Sequence, residues 1–254
     1  MLASLTFAYW KFVGRISRNR RTVHSRGLRF SLQCNNQITH YRWEEYNSKE
    51  PETLDWIDRY IKDGDTFFDI GANIGAYSIY AAKRHPGAHV VAFEPEYANL
   101  HLLRDNVVEN RLSERVSTYS VALSDRSGLS TLHIQDLTPG AAHSTESTKD
   151  LSMTISGKRV VAREGTYALC LDEFCQRSTL KPNYIKLDVD GTEPQILEGA
   201  AQTLAGVSLR SLILEMPDSG ASRDLCRKSL SEAGLQLEWH DKTGKSQNEI
   251  WIRK

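Results

Sequence analysis

The stretch that most constrains this chain is residues 65–78, DTFFDIGANIGAYS. Thr66-Phe67-Phe68-Asp69-Ile70 is a short apolar run of β-favouring residues and predicts a buried strand. Gly71-Ala72-Asn73-Ile74-Gly75 is a turn of small residues, and a helix is expected from Tyr77 onward. Strand, glycine turn and helix N-terminus in that order let backbone approach a ligand closely. The spacing Gly71-x-x-x-Gly75, with Asn73 inside it, departs from the G-x-G-x-x-G of a dinucleotide fold. Asp69 at the strand's end would repel a pyrophosphate and suits a cationic ligand. Taken alone, the stretch is equally a tight βα turn that needs small residues.

Beyond it, strands alternate with helices. Residues 51–61 predict a helix with Pro51 in its first turn and Leu54, Ile57 and Ile61 on one face. Strands are expected at 89–93, 116–121, 184–188, 209–214, 235–240 and 249–252, and helices at 97–108, 194–204 and 222–233. Residues 128–134 alternate and predict a hairpin strand, 171–174 a short helix, and the Ser/Thr-rich 138–156 a mobile loop. The alternation implies an α/β fold with a mostly parallel sheet covered on both faces. In such sheets ligands bind outside the carboxyl ends of the strands. Acids stand at five expected strand ends: Asp69, Glu94, Asp125, Asp188 and Glu215. Crowded carboxylates repel, so the clustering points to a site, although each acid singly could cap a helix. Glu94 follows the glycine turn by about twenty residues, where an acid accepts both hydroxyls of a ribose. An adenosine ligand is indicated, either a nicotinamide cofactor or S-adenosylmethionine, which carries an ammonium and a sulfonium and no phosphate.

Length and composition narrow the setting. The 254 residues suit one large domain at 51–254, preceded by an extension at 1–50 with a lead-in strand at 27–32. Formal net charge is zero, so no global field favours nucleic acid. Cys34, Cys170, Cys175 and Cys226 form no CxxC pair and have no metal-ligand spacing with histidine, so reduced thiols and a cytoplasmic setting are expected. Residues 2–13 are aromatic but shorter than the roughly 20 apolar residues of a spanning helix, and no signal peptide is expected. Arg15, Arg18, Arg20, Arg21, Arg26 and Arg29 follow. That combination suits a peripheral membrane contact, or a helix packed on the domain with its arginines in water.

The segments DIGANIGAYS (69–78), FEPEYANLHLLRDN (93–106), ALSDRSG (122–128), IKLDVDGTEPQILEGA (185–200) and LEMP (214–217) resemble, in order and spacing, the FkbM family of S-adenosylmethionine-dependent methyltransferases. The resemblance runs from about residue 54 to 217 and, more weakly, into the last hairpin. It implies the class I methyltransferase Rossmann-like fold, seven strands with the last antiparallel, and methyl transfer to a hydroxyl, often of a sugar in a glycan, glycolipid or natural product. It places Asp69, Gly71, Asn73 and Gly75 around the methionine portion, Glu94 on the ribose and Pro95 at the adenine wall. Ala122, Leu123, Ser124 and Asp125 would lie near adenine, Asn99 and Asn106 in the helix beside that wall, and Asp188 beside the transferred methyl. Two departures stand out: Val189-Asp190-Gly191 where the family writes valine-glutamate-glycine, and Cys170-Leu171-Asp172 where it writes threonine-leucine-aspartate.

A sugar hydroxyl is a poor nucleophile near neutrality, so a general base is expected. Asp188 leads, followed by Glu215, Asp190, Glu193 and His143; alternatively Asp188 holds the cofactor's ammonium and another group takes the proton. No metal is expected. The acceptor would be a small molecule or glycan, met by residues 138–156 and the first fifty, whose aromatics and arginines would fit a glycan carrying phosphate. Two other functions compete. An NAD-dependent oxidoreductase is opposed by Asn73 and the glycine spacing. A non-catalytic nucleotide-binding or interaction module of the same fold is opposed by the complete set of acids and glycines.

Overall fold

In chain order the elements begin with a hairpin of β1 (Arg20–Ser25) and β2 (Leu28–Gln33), turned by Arg26 and Gly27 at φ of 48° and 83°. Then come α1 (Gln37–Glu44), α2 (Pro51–Tyr60), β3 (Thr66–Ile70), α3 (Ala76–Arg84), β4 (His89–Phe93), α4 (Tyr97–Glu109), β5 (Val116–Tyr119), β6 (Ala122–Leu123), β7 (Gly128–Ile134), β8 (Ser144–Ser147), β9 (Thr154–Ile155), β10 (Lys158–Arg159) and β11 (Ala162–Leu169). The remainder is α5 (Leu171–Ser178), β12 (Tyr184–Leu187), α6 (Glu193–Glu198), α7 (Ala201–Ala205), β13 (Ser211–Glu215), α8 (Gly220–Glu232), β14 (Gln236–His240) and β15 (Asn248–Ile252). This computed structural model describes residues 19–142, 144–147, 154–155 and 158–254. The aromatic segment 2–13, Arg15, Arg18 and His143 lie outside the described residues. Among the described residues no helix is long and apolar enough to cross a membrane.

Seven strands form the central sheet in the order β5-β4-β3-β12-β13-β15-β14. All neighbours are parallel except β15, which runs antiparallel to both β13 and β14. The Rossmann-like seven-stranded sheet with an antiparallel last strand is therefore present. The chain lays β4 and β5 on one side of β3, then returns to place β12 on the other. The sheet's topological switch point lies between β3 and β12, where open α/β sheets bind ligands.

Alternation along β3 shows how the sheet is buried on both faces. Phe67 and Phe68 point to opposite sides. Phe67 joins Trp56, Ile57, Ile79 and Tyr80 under α2 and α3; Phe68 joins Phe93, Phe174, Leu197 and Leu230 under α5, α6 and α8. Trp56 meets the Phe67 ring edge-on at 5.8 Å, and Phe174 meets that of Phe93 at 4.9 Å. Each fully buried Phe contributes about 1.5–3 kcal/mol from removal of apolar area. The hairpin belongs to the same core: Val23, Phe30 and Leu32 are buried with Leu54, Tyr80 and Val90.

A second, four-stranded sheet in the order β6-β11-β7-β8 is inserted between β5 and α5. It changes two expectations. The segment 138–156, expected as a mobile loop, contributes β8, which pairs antiparallel with β7 from Thr131↔Ser147 to Ile134↔Ser144. The strand expected at 116–121 ends at Tyr119, and the chain leaves the main sheet so that Ala122 and Leu123 pair with Ala168 and Leu169. The helix expected at 194–204 is broken into α6 and α7 at Gly199 and Ala200. A Cβ at Gly199 would stand 2.0 Å from the Ser124 carbonyl oxygen, so this close approach requires glycine. The α7 start is capped from α5, where Asp172 accepts the Gln202 and Thr203 amides at 2.9 and 2.7 Å.

Candidate active site

The turn after β3 is held over the end of β4. The Gly71 and Ala72 amides both donate to the Phe93 carbonyl, at 3.1 and 3.0 Å. Gly71, Asn73 and Gly75 all have positive φ, of 78°, 50° and 80°. A Cβ on Gly71 would lie 1.9 Å from the Asp188 carbonyl oxygen, so β3 and β12 can close at the switch point only around a glycine. Asparagine tolerates the left-handed region at position 73. Its side chain donates to the Ala141 carbonyl at 2.9 Å, and its backbone amide donates to Glu94 Oε2 at 2.8 Å.

Glu94 is 6% exposed. Its second oxygen, Oε1, accepts the Glu96 amide at 3.0 Å. Burial pushes its carboxyl up to about 7, against the two amides, which favour the charged form. Asn99 clamps the segment above: its Oδ1 accepts the Gly140 amide at 2.7 Å, and its Nδ2 donates to the Ala141 carbonyl at 3.1 Å. Arg42 Nε holds the Gly140 carbonyl at 2.6 Å, and Asn36 Nδ2 the Pro139 carbonyl at 2.9 Å. Residues 139–141 are thus fixed between α1 and the glycine turn.

A buried charge cluster lies beneath and beside the turn. Lys186 on β12 is in register with Asp69 on β3. Its ammonium is 2.7 Å from Asp188 Oδ2, 4.0 Å from Asp69 Oδ1 and 5.2 Å from the centre of the Tyr77 ring. Asp69 Oδ2 accepts the Ser78 hydroxyl at 2.5 Å, while its Oδ1 has no hydrogen-bond partner. Burial pushes the Asp69 carboxyl up, and Lys186 and Ser78 offset part of that. For Asp188, burial acts upward, but Lys186, a hydrogen bond with Glu215, and Lys49 together hold the carboxyl well below the usual range. Glu215, exposed at the end of β13, shows the reverse: the neighbouring Asp188 carboxylate pushes it up. Two carboxylates side by side disfavour double ionisation, and with Asp188 held by Lys186 the upward push falls on Glu215.

A cavity of about 240 Å³ is lined by Gly71, Asn73, Glu94, Pro95, Asp188, Asp190 and Glu215, together with Arg42, Lys49 and Ala141. A smaller apolar lobe of about 40 Å³ among Phe93, Val121, Leu123 and Ile196 shares Gly71, Pro95, Ser144 and Val189 with it. The structure thus brings most of the sequence-derived residues to one cavity. Asp69 and Gly75 lie beneath it, the latter packed so that a Cβ would be 2.2 Å from Leu103 Cδ1. Ser124 and Asp125 line neither space. Ser124 is buried and donates to Glu146 at 2.8 Å, and Asp125 pairs with Arg126 at 3.1 Å, because β6 has left the main sheet. Asp190 is exposed at the rim, where its Oδ2 accepts the Ser144 amide at 3.3 Å. Glu193 is 1% exposed.

Sequence reasoning missed Lys186, Lys49, Arg42 and Tyr77. For Lys186 a signal was present: a lysine inside an apolar strand two residues before Asp188 shares that acid's face and needs a buried partner. Arg42 and Lys49 carry no local signal, since only the packing of α1 and the segment after it brings them to the cavity.

The chain matches the Methyltransferase FkbM domain over residues 69–226, well over half of its length. It is 28% identical over 181 residues to the 31-O-demethyl-FK506 methyltransferase FkbM of Streptomyces tacrolimicus, covering 62% of this chain and 67% of that protein. It is 29% identical over 180 residues to the hexuronic acid methyltransferase AglP of Haloferax volcanii, covering 70% and 66% respectively. The fold aligns with the crystal structure of Methyltransferase FkbM from Methylobacillus flagellatus KT at a TM-score of 0.50 and 16% identity, over 85% of this chain and 54% of that one. The chain thus spans about two thirds of the length of these curated relatives and about half of that crystal structure. With the glycine turn, Glu94 and the paired strand-end acids in place around one cavity, the chain belongs to the FkbM methyltransferase family.

Proposed function

We propose that the chain is an S-adenosylmethionine-dependent O-methyltransferase acting on a hydroxyl of a sugar or natural product. The observation that carries the reading is a single cavity lined by Glu94 and by the strand-end acids Asp188 and Glu215.

The residues present fit the cofactor. Each Glu94 oxygen accepts one backbone amide and keeps a lone pair for a ribose hydroxyl. Phe93, Pro95, Val121 and Leu123 offer an apolar wall to a flat base. Ionised Asp188 suits a cationic group on the opposite side. When bound, S-adenosylmethionine supplies an electrophilic methyl carbon on its sulfonium.

The chain's own residues would do the rest. Asp188 stays ionised because Lys186 and Lys49 stabilise its charge. A hydroxyl entering from the Asp190 rim would donate a hydrogen bond to Asp188; because Lys186 lowers the basicity of that carboxylate, the proton would pass to it only late, as the new oxygen–carbon bond forms and the methyl–sulfur bond breaks. Glu215, beside it at the end of β13, lines the same cavity. The segment at Ala141 and Ala142, fixed through Asn73 and Asn99, shields the cavity from water. The names of the relatives, a 31-O-demethyl-FK506 methyltransferase and a hexuronic acid methyltransferase, support a natural-product or sugar acceptor.

Thermal shift with S-adenosylmethionine, S-adenosylhomocysteine and NAD tests the reading. Stabilisation by the first two and not by NAD is expected, about 2.7 kcal/mol at a hundredfold excess over Kd. A shift with NAD alone, or with none of the three, would overturn it.

A further inference from the structure

The lining of the cofactor cavity is divided by charge. Glu94, Asp188, Asp190 and Glu215 are acids, and Arg42 and Lys49 are its two cations. S-adenosylmethionine carries two cationic groups, which acids suit, and one anionic group, the carboxylate of its amino-acid portion. A carboxylate entering this cavity needs a cation as partner.

The two cations are not equivalent. Lys49 Nζ is 2.6 Å from Glu50 Oε1, and its charge also acts on Asp188, so acids already face it. Half-buried Arg42 uses one nitrogen: its Nε donates to the Gly140 carbonyl at 2.6 Å. Among the described residues its Nη1 and Nη2 make no hydrogen bond and no acid forms a salt bridge with them. Arg42 stands in the last turn of α1, whose start is closed by a capping box between Asn36 and Thr39. The Gly140 it holds is gripped in turn by Asn99, whose Oδ1 accepts the Gly140 amide at 2.7 Å. The guanidinium is therefore oriented before a ligand arrives, with its outer edge left for a bidentate contact. Its charge acts on Glu94, where it favours the carboxylate, and on Lys49. That puts Arg42 within electrostatic reach of the acid assigned to the ribose and of the lysine that faces Asp188, the span that the amino-acid portion would cross.

A second observation is independent of this geometry. The family match begins at residue 69, and the matched residues of the lining include acids and no cation. Both cations come from the chain before it.

We infer that Arg42 binds the carboxylate of the cofactor's amino-acid portion through Nη1 and Nη2, and so makes the chain select intact S-adenosylmethionine over its decarboxylated form. This rests on the methyltransferase reading above and names the residue that sets its cofactor specificity. The decarboxylated molecule keeps the adenosine, the sulfonium and the amine, so the acids of the cavity give no reason to prefer the intact one.

Titration calorimetry on the full chain tests this with S-adenosylmethionine, its decarboxylated form and 5′-methylthioadenosine, which lacks the amino-acid portion. The parent chain should bind S-adenosylmethionine about tenfold or more tightly than the decarboxylated form, the usual worth of a hydrogen bond to a charged group. Arg42→Met should bring the two to within about twofold of each other and change the affinity for 5′-methylthioadenosine by less than about twofold. The retained 5′-methylthioadenosine binding also shows that the variant folds. Equal binding of the intact and decarboxylated forms by the parent chain would overturn the inference and leave the methyltransferase reading standing. So would an Arg42→Met variant that keeps the preference, or one that weakens all three ligands alike, the mark of a role confined to holding Gly140. Binding of none of the three by the parent chain would overturn the methyltransferase reading itself, and the inference with it.

Discussion

Lys186 carries a full positive charge at 3% exposure, a placement that persists only with close acids. Burial pushes its ammonium down, but Asp188, Asp69 and Glu50 override this and raise it. Replacing it with methionine would leave Asp69 without its cation and Asp188 with Lys49 alone. Lys186→Met should lose about 3–5 kcal/mol in urea unfolding, the usual cost of removing one partner of a buried ion pair. A loss below about 1 kcal/mol would mean the cluster is not dry. Glu94 behaves differently, because its two amides favour the carboxylate while burial opposes it. Ribose hydroxyls would add to the side of the charged form. Cofactor binding should therefore release a proton and tighten as pH rises through about 7, which calorimetry in buffers of different ionisation enthalpy measures directly. Glu94→Ala should remove the cofactor-induced thermal shift, and an intact shift would place the ribose elsewhere.

At the scale of elements, the β1–β2 hairpin is tied to α4 by amide side chains. Asn106 Oδ1 accepts the Gln33 amide at 2.8 Å, and its Nδ2 donates to the Ile74 carbonyl at 2.9 Å. One turn later Asn110 accepts the Ser31 amide at 2.9 Å and donates to the Ser31 carbonyl at 2.8 Å. Residues 31 and 33 present the same edge of β2, and residues 106 and 110 the same face of the helix. The two asparagines thus occupy an edge that would otherwise expose unpaired backbone. Asn106 also reaches into the glycine turn through Ile74, so the hairpin and the cofactor turn are mechanically linked. Asn106→Ala should orphan two buried backbone groups and cost about 2–4 kcal/mol in denaturant unfolding. Hydrogen exchange should speed up first at the Gln33 amide, and unchanged exchange there would refute the link.

For the whole molecule, the buried acids set the response to pH. Glu94 and Glu193 have folded-state carboxyls near 7, above the ordinary 4.5, so the native state holds more protons than the unfolded chain between those values. Their contribution to stability therefore falls as pH rises from about 4.5 to 7. Asp188 works in the opposite sense: held low, it stabilises above its ordinary value and loses that as pH falls. The raised ammonium of Lys186 stabilises below its ordinary 10.5 and loses that only in stronger base. The unliganded protein should be most stable in mild acid. Glu193→Gln should stabilise the protein at pH 8 by about 1–3 kcal/mol in urea unfolding and leave its stability unchanged near pH 5. Equal effects at both pH values would show that the carboxyl is not perturbed.

The glycine turn and the acids at the ends of β3, β4, β12 and β13 were legible in the chain itself. Those signals are local: small residues where φ is positive, and charge placed directly after an apolar run. The alternation of helix and strand announced a parallel sheet in the same way. Only the tertiary structure decided which strand ends become neighbours. That choice sets Lys186 against Asp69, places Glu215 in the same cavity as Asp188, and brings Arg42 and Lys49 from the first fifty residues to it. It also removed Ser124 and Asp125 from the cavity lining, because β6 pairs with β11 across more than forty residues, a partnership with no local signature. Ion pairing and desolvation act through space, so their partners are set by register and packing, whereas turns and alternation are set by the residues on either side.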